Sequence, residues 1–115
     1  LRESEQKFRL IFDETFQFIG VLDNDGTLLQ INRTALKFAN IDIEQAIGKP
    51  IWDTAWWSHS QALKKTLKRA VKRAVKGELV RFEATHQSPD GKLINVDFSL
   101  KPVTETVGKV VLLIS

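Results

Sequence analysis

The chain has 115 residues, 43% hydrophobic and 27% charged, with a formal net charge of +3. That size and balance fit one compact domain with one core, and no apolar run approaches the ~20 residues of a membrane-spanning helix. Cysteine is absent, which excludes disulfides, thiolate metal sites and cysteine nucleophiles and agrees with a reducing, cytoplasmic setting.

Residues 1–14 predict an amphipathic helix with Leu1, Phe8, Ile11 and Phe12 on one side. The β-prone run from Phe16 to Leu22 follows, then Asp23-Asn24-Asp25-Gly26, a hairpin signal, and a returning strand from Thr27 to Ile31. Asn32 is placed to cap a helix beginning at Arg33. Asp42 and Gln45 have capping-box spacing for a one-turn helix over 43–47, closed by Gly48 and Pro50. Ser58 with Gln61 repeats that spacing before a long helix, 59–76, whose Leu63, Leu67, Ala70, Val71 and Ala74 keep the 3.6-residue period up to Gly77. The pattern then changes to period two. Val80 to His86 alternates, Ser88-Pro89-Asp90-Gly91 turns the chain, and Ile94, Val96, Phe98 and Leu100 share one face of the next strand. Pro102 ends that strand, and after a turn near Gly108 a last strand runs from Lys109 to Ser115.

This order predicts an α+β fold: a five-stranded antiparallel sheet with short helices and one long helix on one face, preceded by an amphipathic helix. It resembles the PAS fold. The matching residues are Asp23-x-x-Gly26, Asn32-x-x-Ala35, Ile47-Gly48-Lys49-Pro50, Asp90-Gly91-Lys92 and Leu100-Lys101-Pro102-Val103, in that order. The segment Trp52-Asp53-Thr54-Ala55-Trp56-Trp57-Ser58-His59-Ser60 is similar to a subfamily common in multidomain bacterial sensor kinases. The resemblance implies a sensory domain over 16–115 with residues 1–15 as an entering helix. Leu1 is no initiator methionine, and the sequence stops inside an apolar run, so it reads as a fragment of a longer signalling protein.

Catalysis is not expected. The chain has no Gly-rich phosphate loop, no nucleophile context and no acidic or histidine cluster at metal spacing, and hairpin chemistry accounts for Asp23 and Asp25. The expected role is signal input, most naturally for a histidine kinase: a small ligand or partner shifts sheet–helix packing, and an output domain of the same chain responds. The alternative is a ligand-free interaction module, and a homodimer is expected in either case. The expected pocket is lined by Gly20, Leu22, Leu67, Val71, Ala74, Ala84, His86, Val96, Phe98, Leu100 and Leu113, with Trp52 or Trp56 covering a ligand. The small residues Gly20, Ala74 and Ala84 are expected to leave the room.

His86 reads either as a half-buried strand-end histidine or as a polar anchor for a planar ligand. His59 reads as an exposed first-turn residue, with haem ligation the alternative that the resemblance raises. No retained cofactor is expected. Photoreactive flavin chemistry needs a cysteine, which leaves only noncovalent flavin or haem open. The long helix carries Lys64, Lys65, Lys68, Arg69, Lys72, Arg73 and Lys76, seven of 17 basic residues. They lie opposite the apolar stripe and read as a solvated face without specific nucleic-acid binding. No insertion of this segment into a membrane is expected.

Overall fold

Asp23 folds the first hairpin around itself. Its Oδ1 accepts the backbone N–H groups of Asp25 at 2.9 Å and Thr27 at 3.0 Å, joining strand β1 (Gly20–Leu22) to β2 (Leu28–Ile31). Helices α1 (Arg2–Glu14) and α2 (Arg33–Ala39) flank this hairpin in the chain. Two one-turn helices (Ile43–Gln45, Ile51–Asp53) lead to the long helix α3 (Gln61–Val75), and then come β3 (Val80–Gln87), β4 (Leu93–Thr106) and β5 (Lys109–Ile114). The computed structural model describes the backbone of residues 2–106 and 109–114 and the side chains of residues 3–103. Leu1, the turn expected near Gly108 and the strand end at Ser115 lie outside them.

The strands form one antiparallel sheet in the order β2-β1-β5-β4-β3. Leu67, Ala70, Val71 and Ala74 of α3 are buried in one core with Leu22, Val80, Ala84, Phe98 and Leu100 of the sheet, as the period of the apolar residues requires. The basic residues occupy the rest of the helix: Lys64 pairs with Asp53 at 3.6 Å, and the Lys68 ammonium stands 5.5 Å from the Trp52 ring centre.

Several boundaries differ from the sequence reading, each for a local reason. Helix α3 starts after Ser60 rather than Ser58, because the Ser60 Oγ accepts the Leu63 N–H at 3.2 Å. The first strand shortens to Gly20–Leu22 and leaves Phe16 97% exposed, since residues 15–18 carry the chain from α1 to the sheet. Strand β4 continues through Pro102. Its neighbour β3 has ended opposite Leu100, so the missing N–H falls where β4 has one partner strand instead of two.

Gly26 closes the hairpin with φ of +86°, and a Cβ built there would lie 2.6 Å from Trp52 Cζ3. Gly26→Ala is therefore expected to cost about 2 kcal/mol, from left-handed backbone strain and the displaced indole. Chemical denaturation measures it, and an unchanged midpoint would contradict the contact.

Candidate functional site

Strand parity turns His86 inward together with Ala84 and Phe82, and the imidazole becomes the centre of an aromatic cluster. It is buried, with Phe18 stacked on it at 5.8 Å and the edge of Trp57 at 5.1 Å. Trp57 also meets Phe98 at 4.9 Å, and Phe98 meets Phe82 at 5.2 Å. Nδ1 of His86 lies 3.1 Å from the Trp56 carbonyl oxygen and 3.2 Å from that of Thr85. Both oxygens can only accept, so Nδ1 carries the proton and the neutral ring keeps a lone pair on Nε2. Burial disfavours the imidazolium and lowers the pKa from 6.5 to about 4, against the opposing pull of the two carbonyls and with His59 adding to the decrease.

Trp56 ties this cluster to the helical layer. Its indole N–H donates to the Ala35 carbonyl at 3.0 Å, while its own carbonyl holds His86. His59 sits just before α3 with Nε2 2.9 Å from the Thr85 hydroxyl, and its Nδ1 is enclosed without a partner. It is half-buried, not the exposed first-turn residue expected, because the segment before α3 reaches the edge strand β3.

A cavity of about 690 Å³ opens beside the cluster. Ile31, Ala35, Trp56, Trp57, His86, Val96 and Phe98 line it. Phe16, Gln17 and Phe18 of the connection from α1 form another wall, and Arg81, Asp97 and Lys101 contribute charged groups. Arg81 and Asp97 pair at 2.7 Å and stay largely exposed.

Asn32 joins this wall to α1. Its Nδ2 donates to the carbonyls of Phe12 at 2.9 Å and Gln17 at 2.7 Å. Its Oδ1 accepts from Ile19 at 3.1 Å and, as the cap of α2, from Ala35 at 3.3 Å. The side chain is fully buried with every polar position used.

Four of the residues expected at a pocket therefore line this cavity: Trp56, His86, Val96 and Phe98. Leu22, Leu67, Val71, Ala74, Ala84 and Leu100 lie in the packed core instead, and Gly20 is buried within β1. The room expected beside Ala74 and Ala84 is displaced because Trp57 packs over Phe98 and Phe82. Trp52 rests on Gly26 beneath Lys68, away from the cavity. Leu113 is opposite Val21 and Lys101 in the sheet, and its side chain lies outside the described residues.

The sequence reading did not place Phe18, Ile31, Ala35 or Trp57 at the site. Trp57 was legible only as part of the segment from Trp52 to Ser60. Phe18 was legible as an apolar strand residue, whereas it precedes the strand.

Residues 12–115 match the family model described as PAS fold. The chain belongs to the PAS family. Over 96% of its length this PAS domain is 37% identical to sensor histidine kinase TmoS of Ectopseudomonas mendocina, and it spans 12% of that protein. It is 35% identical, again over 96% of its length, to hybrid signal transduction histidine kinase D of Dictyostelium discoideum, of which it spans 7%. The PAS domain of an HTR-like protein from Haloarcula marismortui superposes with a TM-score of 0.73 at 23% identity, covering 99% of this chain and 96% of that one; this likeness concerns the fold. Among the described residues of the PAS domain, no group of three His, Cys, Asp or Glu residues could hold a metal ion. No described helix is long and apolar enough to cross a membrane.

Proposed function

We propose that this PAS domain is the signal-input module of a larger cytoplasmic signalling protein, a histidine kinase, and that a small molecule entering the cavity beside His86 is the input. One observation carries the reading. The wall formed by Phe16, Gln17 and Phe18 is the same segment that leaves α1, and Asn32 clamps it at the Gln17 carbonyl while holding the last turn of α1 at Phe12. An occupant that moves this wall works against the clamp and shifts α1, and an output domain in the same chain responds. The domain has no catalytic part in this scheme, and occupancy is reversible. His59 is not needed as a haem ligand, since its Nε2 is engaged by Thr85, and the basic face of α3 acts as a solvated surface.

A mostly apolar cavity with a few polar groups is the usual form of a small-molecule site. The test is a thermal-shift screen of small aromatic compounds on wild-type protein and Val96→Trp, which fills the cavity from β4. Compounds should raise the wild-type melting temperature and leave the variant unmoved. No compound acting on the wild type, or equal action on both, would count against the cavity.

A second reading, an interaction module that works through dimerisation, is favoured by α1. Phe8 and Ile11 share one face and are 51% and 70% exposed, whereas Phe12 is buried. A homodimer through this face serves either reading. Sedimentation of wild type and Ile11→Asp should show a dimer that weakens in the variant. A wild type that remains monomeric at high concentration would overturn the dimer. Phe12→Asp is unsuited to this test, since it would break the core beneath α1.

A further inference from the structure

The hydrogen bonds of His86 restrict what the cavity can hold. Nδ1 is committed as a donor to the Trp56 and Thr85 carbonyls, so the second nitrogen, Nε2, offers only a lone pair. It has no hydrogen-bond partner among the described residues, and His86 lines the cavity. Nε2 is not among the enclosed unpaired atoms and stays reachable from the cavity. An occupant that covers it without donating leaves that acceptor unmatched, so an occupant that donates to it is selected over one that does not. The surroundings add shape: Phe18 stacks nearly parallel to the imidazole, at 16°, and Trp57 meets it edge-on at 77°. Such walls favour a flat ring. Charge adds the last restriction. The Arg81 guanidinium is already paired with Asp97, Lys101 stands far along β4 from Ile94, the residue opposite His86, and a neutral His86 offers nothing to an anion.

Resting on the ligand-sensing reading, we infer that the cavity selects a flat, uncharged aromatic molecule that donates an N–H or O–H hydrogen bond to His86 Nε2, and discriminates against aromatic carboxylates and donor-free rings. Isothermal titration with indole, its isostere benzofuran, which has no donor, and benzoate tests this directly. Indole should bind at least about tenfold more tightly than benzofuran, in line with a single neutral hydrogen bond, and benzoate weakest. In His86→Leu the preference for indole over benzofuran should collapse to near unity. A nitrogen NMR spectrum of wild-type protein gives an independent reading should that variant fold poorly. His86 should show protonated Nδ1 and bare Nε2, and indole should shift the Nε2 signal. Equal affinity for indole and benzofuran, tightest binding of benzoate, or a proton on Nε2 would overturn the inference and leave the cavity reading standing. Absence of binding by all three compounds would overturn both.

Discussion

Asn32→Ala is expected to lower the unfolding free energy by about 3 kcal/mol, a large effect for one polar side chain. Alanine abandons two carbonyls, of Phe12 and Gln17, and two N–H groups, of Ile19 and Ala35. The position is fully buried, so each group left without a partner costs roughly 1–3 kcal/mol unless water reaches it. The loss of the α2 cap contributes about 1 kcal/mol by itself. Asn32→Asp separates the two halves of the role, since it keeps the acceptor for Ile19 and Ala35 and removes the donor to Phe12 and Gln17. Equilibrium denaturation should place it below wild type, with the hydrogen-exchange protection of α1 lost first. A loss in Asn32→Ala no greater than that of a helix cap would show that the clamp on α1 carries no weight.

The second large effect is acid destabilisation through His86. The folded protein holds this imidazole neutral with a pKa of about 4, against 6.5 ordinarily. The unfolded chain therefore binds a proton below about pH 6.5 that the folded protein refuses until about pH 4. Stability is complete above that window and declines as pH falls through it. The loss is about 2 kcal/mol between about pH 7.5 and pH 5, before most carboxylates titrate, and about 3 kcal/mol once pH 4 is passed. In His86→Leu this decline should be largely absent between pH 7.5 and 5, even if the variant starts from lower stability. An equal slope in wild type and variant would mean that His86 is solvated in the folded protein.

Local chemistry explains why most of the fold could be read from the sequence. The Asp23–Gly26 turn, the Asn32 cap and the alternation in β3 are each set within a few residues. The inward face of His86 followed from parity alone, because one residue of register decides the face. The room beside it could not be read in this way. Trp57 fills the space near Phe98 and Phe82 that small residues had suggested, and its ring position depends on a loop without period. The extra bonds of Asn32 were hidden for a related reason. They reach Phe12, Gln17 and Ile19, 13 to 20 positions away, whereas capping spacing speaks only of the residue three ahead.

In the proposed mechanism, cavity occupancy reaches α1 through the wall clamped by Asn32. Amide-resolved hydrogen exchange with and without saturating indole measures it most directly. Exchange should change at Phe18 in the cavity wall, at the Ile19 and Ala35 amides held by Asn32 Oδ1, and at the last turn of α1 up to Glu14. Changes confined to the residues around His86, with α1 and the Asn32-bound amides unmoved at full occupancy, would contradict it.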